Sequence, residues 1–257
     1  MDWRQLLVLV LIFAPLERVF PLRATQGPLR RAWTTDTIYL LVNSFVVKFF
    51  FVGVLLLALP LIERSVPGSL QATVGGLPLW VQFPLAVVIA DLGFYLHHRM
   101  FHAIPALWKF HAVHHSIEEL DWLAAHRVHP FDQVVSNSMS LLPLFALGFS
   151  AEAMALHAVC YFVQSHLIHS NTRLRFGPLE RLLASPHFHH WHHANHHEAH
   201  DRNFGGQTLI WDRLFGTLHQ PQTFPAQYGA GDDVPPGYLR QMAWPFLRLL
   251  SKDRTTA

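Results

Sequence analysis

Apolar residues run almost unbroken over 37–62 (TIYLLVNSFVVKFFFVGVLLLALPLI), where Lys48 is the one full charge. A helix needs about 20 such residues to cross the hydrocarbon of a bilayer. The pattern therefore predicts a transmembrane helix here and a second over 79–96 (LWVQFPLAVVIADLGFYL). Two further apolar segments, 134–149 (VVSNSMSLLPLFALGF) and 151–168 (AEAMALHAVCYFVQSHLI), predict a helical hairpin with its turn near Gly148 and Ser150. Beyond about residue 170 the chain turns polar and rich in proline and glycine, as in a membrane-associated soluble lobe. The opening stretch MDWRQLLVLVLIFAPLERVFPLR has a short apolar run flanked by Glu17 and Arg18, with no small-residue cleavage site after it. It reads as a retained short or interfacial membrane helix rather than a signal peptide.

Composition agrees with a membrane protein. Hydrophobic residues make up 51% of the chain and charged residues 14%, against roughly 25% charged in an average soluble domain, and the mean hydropathy is positive. A net charge of +2 gives no reason to expect a nucleic-acid partner. Cys160 is the single cysteine, so intrachain disulfides and cysteine-held iron–sulfur or zinc sites are excluded. Arg23, Arg30 and Arg31 assign the 23–31 loop to the cytoplasm. One helix then crosses away and the next crosses back. The hairpin goes out and returns, so 97–130 and 169–257 share the cytoplasmic face.

The histidines change the picture. HHRMFH (97–102), HAVHH (111–115) and HFHHWHH (187–193) are internal and embedded in apolar sequence, unlike a tag. His98 and His102 are four apart and share a helical face. His111, His114 and His115 form HxxHH, and the same spacing recurs as His189, His192 and His193. His166 and His169 lie near the end of the returning hairpin helix. Neutral imidazole is a transition-metal ligand, and four groups on one side of the membrane are enough for two ions. Neither ExxH, used by soluble di-iron bundles, nor HExxH occurs; HHEAHD at 196–201 has the wrong spacing for the latter. What remains is an all-histidine dinuclear site, which with iron could activate dioxygen toward an unactivated C–H bond. The alternatives are a metal transport or storage protein, which would place its ligands near the bilayer midplane, and a membrane zinc hydrolase, which needs three ligands and a base. The expected fold is an all-α integral membrane protein of about four transmembrane helices, the hairpin included. A cytoplasmic histidine-rich metal-binding lobe caps them. The expected divisions are an N-terminal helix and basic loop (1–36), a transmembrane and catalytic unit (37–217) and a cytoplasmic tail (218–257).

Taken together, HRMFH, HAVHH and HFHHWHH, with RVHP (127–130), HSN (169–171), DRNFGG (201–206) and WDRLFGT (211–217), resemble the fatty acid hydroxylase/sterol desaturase superfamily over about 80–217. The resemblance implies a membrane di-iron enzyme, with two irons per chain, that hydroxylates or desaturates a lipid using dioxygen and external electrons. It carries the ligand role to His98, His102, His111, His114, His115, His189, His192 and His193, to His169 before the Ser–Asn pair, and to His166, whose spacing varies among relatives. His97, His187 and His190 are extra, with supporting or surface roles expected. No GxGxxG, CxxC or HPGG stretch is present, so the electron donor is a separate cytochrome b5-like protein, ferredoxin or reductase. Asp91 either orients a ligand histidine from behind or pairs with Arg99 or Arg127. Arg127 itself, Asn203 and Asp212 are candidates to support the ligands through hydrogen bonds, and the last two are equally candidates for simple turn formation.

Overall fold

The computed structural model describes residues 3–251. The described chain is helical: α1 (Trp3–Val19), α2 (Trp33–Ser65), α3 (Gly68–Gly75), α4 (Leu79–Ala103), α5 (Pro105–His115), α6 (Pro130–Leu147), α7 (Ala151–His169), α8 (Pro186–His192), α9 (Ile210–Leu214) and α10 (Tyr238–Leu250). Among the described residues no strand forms, and isolated bridges such as Leu183–Thr208 and Ala194–Tyr228 tie loops together.

Local chemistry sets the helix ends that matter for the site. Pro105 opens α5 with only Ile104 between it and the end of α4 at Ala103, because the residue before a proline is driven out of the helical region. His129 caps α6 through its ring and is followed by Pro130 at the first helical position. Gly148, at φ 78°, ends α6, and the Ser150 side chain accepts from Ala153 N to start α7. The hairpin therefore turns where Gly148 and Ser150 were expected to turn it.

Among the described residues, α2 and α4 are long and apolar enough to cross a membrane. Phe45, Phe49, Leu56, Leu57 and Leu61 stand exposed along α2, as on a helix whose neighbour is lipid rather than protein. The other two of the four expected spans are not shown. α6 and α7 have 18 and 19 residues, yet neither is apolar enough to join α2 and α4. The cause is polar side chains inside them: Gln133, Ser136, Asn137 and Ser140 in α6, and His157, Gln164, Ser165, His166 and His169 in α7.

α4 is the central helix. It packs with α6 and α7 around Ala86, Ala90, Leu144, Phe149 and Ala153. The α4–α6 approach is close enough that a Cβ on Gly93 would lie 2.0 Å from Met139 O, so no larger residue fits there. A buried charge knot joins the N-terminal end of α2 to the loop after α5. Asp36 accepts from both Arg30 and Arg127, and Arg30 also donates to Asp121 at 2.7 Å. Removing one partner of such a knot strands a buried charge and costs on the order of 3–5 kcal/mol. Residues 238–250, within the expected tail, pack back on the core: Tyr39 hydrogen-bonds Gln241, and Tyr238 hydrogen-bonds Asn43.

This arrangement predicts thiol accessibility. In a Cys160→Ala background, Glu118→Cys and Gln222→Cys, both at exposed positions, should react with a membrane-impermeant maleimide from one side. Ser69→Cys, exposed between the two long helices, should react only from the other. Labelling of all three from one side would break the two-crossing arrangement.

Candidate metal centre

Four helices bring nine histidines into two groups. His98, His102, His111, His115 and His192 form one, and His114, His169, His189 and His193 form the other. Within each group the ligand atoms lie within 4.8 Å of one another, and every residue is buried except the half-buried His102. The two HxxHH boxes do not act as single faces. Each sends its i, i+4 pair to one group and its middle histidine to the other: His111 and His115 against His114, and His189 and His193 against His192.

Hydrogen bonds decide which nitrogen each ring presents. His98 Nδ1 donates to Phe204 O (2.8 Å), His192 Nδ1 to Arg202 O (2.8 Å), His114 Nδ1 to Arg127 O (3.0 Å) and His169 Nδ1 to Ser165 O (2.7 Å). His111 Nδ1 donates to Asp132 (2.7 Å) and His102 Nδ1 to Asp201 (3.2 Å). A carbonyl can only accept, so the proton sits on Nδ1 and Nε2 carries a bare lone pair. The Nε2 atoms of His98, His111 and His192 are buried without a hydrogen-bond partner. His114 and His169 set their Nε2 atoms face to face at 3.3 Å. Lone pairs brought together in this way repel unless a cation lies among them, so the residues present fit transition-metal ions. Burial, followed by the neighbouring imidazoles, holds His115, His189, His192 and His193 well below the usual histidine range, and His114 is pushed down to about 3. Each is thus in the neutral, ligating form.

The tenth expected ligand is elsewhere. His166 Nε2 lies 2.9 Å from His126 Nε2, and its Nδ1 donates to Phe162 O; it joins neither group. The HxxH spacing of His166 and His169 turns one ring toward the centre and the other toward His126. His187 donates toward Thr223 O, and His190 has both nitrogens engaged, by Tyr228 and Ser170 O.

The supporting residues act through the backbone. Among the described residues Asp91 forms no hydrogen bond or ion pair with a histidine or an arginine. Its carboxylate accepts the N–H groups of Gly206, Gln207 and Thr208 and the Thr208 hydroxyl. Asp212 accepts from Phe204 N, Gly205 N and Thr217, and Asn203 bridges Phe188 O and His219. All three pin the 202–208 loop, whose carbonyls at Arg202 and Phe204 hold His192 and His98. Arg127 holds His114 by its carbonyl, while Asp36 holds its guanidinium.

The sequence profile of the fatty acid hydroxylase family matches residues 83–217, a range that contains all nine converging histidines and their loop. The chain belongs to the fatty acid hydroxylase family. It is 35% identical over 178 residues to the ornithine lipid hydroxylase OlsE of Rhizobium tropici, covering 68% of this chain and 54% of that protein. It is 33% identical over 128 residues to the alkylglycerol monooxygenase of Homo sapiens, covering 50% of this chain and 28% of that one. It is 30% identical over 145 residues to the probable Delta(7)-sterol 5(6)-desaturase of Neurospora crassa, covering 54% and 39%. The chain thus spans about half the length of the first of these relatives and less of the others. No solved structure matches it.

Within this family member, two features of the site were not read from the sequence. Asp132, in the first turn of α6, takes His111 Nδ1 on one oxygen and lies 2.8 Å from His97 Nε2 on the other. A cavity of about 290 Å³ borders His98, His111, His114, His169 and His189, and Phe94, Tyr161 and Phe162 form its aromatic wall. Phe94 stands one turn before His98 on α4, and that spacing was the available signal.

Ligand and supporting residues separate by metal content. His192→Ala should deplete the first group and His189→Ala the second, each leaving about one ion by metal analysis. His187→Ala and His219→Ala should retain both. Asp132→Asn keeps the shape but loses the carboxylate behind His111, and should weaken metal retention about 10–100-fold. Full retention in Asp132→Asn would remove its orienting role.

The depressed histidines also set a pH dependence for the metal-free protein. Unfolded histidine titrates near about 6.5, above the folded values, so below that pH the unfolded chain binds more protons. Stability falls as pH drops. The melting temperature of the chelated protein should decrease from about pH 7 to about pH 5, and a rise over that range would mean that the rings are charged in the fold.

Proposed function

We propose that this chain is a membrane-bound di-iron oxidoreductase that uses dioxygen to hydroxylate or desaturate a lipid. The observation that carries the reading is the single cavity wall on which converging, uncharged imidazole lone pairs meet an aromatic lining. His98, His102, His111, His115 and His192 would hold one iron, and His114, His169, His189 and His193 the other. When bound, the irons supply the two-electron activation of dioxygen needed to remove hydrogen from an unactivated C–H bond. The rest is work for the chain's own residues. The Nδ1 acceptors fix tautomer and ring orientation. Phe94, Tyr161 and Phe162 exclude water and hold a hydrocarbon chain along their side of the cavity. The relatives' names, a lipid hydroxylase, an alkylglycerol monooxygenase and a sterol desaturase, support a lipid substrate.

A zinc hydrolase needs a carboxylate free to act as base. The two carboxylates lining the cavity are committed, Asp91 to the 206–208 backbone and Asp132 to His111 and His97. On the reading adopted, the hairpin α6–α7 enters the membrane beside α4 with its polar groups turned inward. The centre faces the cytoplasm, as the arginines of the 23–31 loop suggest, and the electrons come from a separate redox protein.

The test is metal and oxygen stoichiometry. Protein reconstituted anaerobically with ferrous iron should hold two irons per chain. With a reductant and a membrane lipid extract it should consume dioxygen and yield a lipid that has gained one oxygen or lost two hydrogens by mass spectrometry. One tightly held zinc, with no second ion after reconstitution, would overturn the reading.

A further inference from the structure

The α6 wall of the cavity is unlike the aromatic wall facing it. Gln133, Ser136, Asn137 and Ser140 recur at i, i+3, i+4 and i+7, so they share one helical face, and all four line the cavity. None of these side chains has a hydrogen-bond partner among the described residues. Ser138, on another face of the same helix, donates back to Val134 O at 2.7 Å, which is the usual way a serine satisfies itself within an apolar helix. Ser136 is only 7% exposed, and its hydroxyl is left free. Gln133, Asn137 and Ser140 are half-buried beside it. A buried polar group is as a rule paired, so the free Ser136 hydroxyl, with three more unpaired polar side chains on the same cavity face, marks a place where a ligand supplies the partners.

We propose that this stripe binds a neutral hydrogen-bonding group of the substrate, such as an ether, ester or amide, carried on the chain close to the carbon that reacts. The inference rests on the reading of the centre as a lipid-oxidising site. Neutrality follows from the lining. No lysine or arginine reaches the cavity, and the oxygens of Asp91 and Asp132 are already taken, so a charged group would be buried unpaired. Proximity follows from the helix. Gln133 adjoins Asp132, which holds His111, and the stripe from 133 to 140 extends about 10 Å from there at about 1.5 Å per residue. The hydrocarbon part then lies against Phe94, Ala158, Tyr161 and Phe162.

Binding can be read without turnover, using metal-loaded protein in detergent, without reductant or dioxygen. The probes are radiolabelled hexadecyl methyl ether, methyl palmitate and N-methylpalmitamide, each compared with hexadecane. The wild type should bind at least one polar probe about tenfold more tightly than hexadecane, the scale of one or two desolvated hydrogen bonds. Gln133→Leu with Asn137→Leu should erase that preference while metal content stays full. Ser136→Ala, which creates little strain, should reduce it about threefold and carries the test if the double variant loses metal. Equal binding of all four probes by the wild type would overturn the proposal, as would a preference unchanged in the variants. Failure of the oxidase reading shows differently, as an absence of oxidised lipid with the binding preference intact.

Discussion

Each imidazole has two ring nitrogens, and holding one of them fixes where the other points. In six of the nine converging histidines the held atom is Nδ1, and its acceptor is a backbone carbonyl or a carboxylate. The inward-facing Nε2 atoms are therefore the product of hydrogen bonds made outside the centre. This arrangement is costly without an ion, since buried lone pairs face one another. It is tolerated because the acceptors are backbone groups of segments fixed for other reasons.

Those reasons lead outward in layers. Loop 202–208 holds two ligand rings by its carbonyls, and Asp91, Asn203 and Asp212 hold the loop. Asn203 adopts φ 60°, a left-handed conformation that asparagine tolerates better than most residues. On the other side, Arg127 ties the ring of His114 to Asp36 in the first turn of α2. A carboxylate buried in or beside a membrane helix is expensive unless paired. Asp36, Asp91 and Asp212 are each paired, and their pairings position backbone that the converging histidines use.

The sequence revealed what local chemistry decides. The Gly148–Ser150 turn and the helix starts at Pro105 and Pro130 depend on one or two residues each, and the converging histidines announced themselves by spacing. The interleaving did not. At about 100° per residue, His114 and His115 diverge by a quarter turn, enough to join different histidine groups, but which group depends on how α5 is rotated against α8. His166 escaped for the same reason, since the rotation of α7 points it at His126. Asp132 passed as an ordinary acidic residue in the first turn of a helix, where the dipole favours one. Tallying apolar residues in α6 without their period also hid that the polar ones at 133, 136, 137 and 140 share a face.

The interleaving of the two histidine groups also sets a schedule for biogenesis. The first group needs His192, and the second needs His189 and His193, all late in the chain. A nascent chain that has emerged only through α7 offers four imidazoles of one group and two of the other. By then α2 and α4 have already been synthesised, ahead of α8. Neither group of imidazoles is complete until α8 has been made, so the full set assembles only after both long apolar helices have been synthesised.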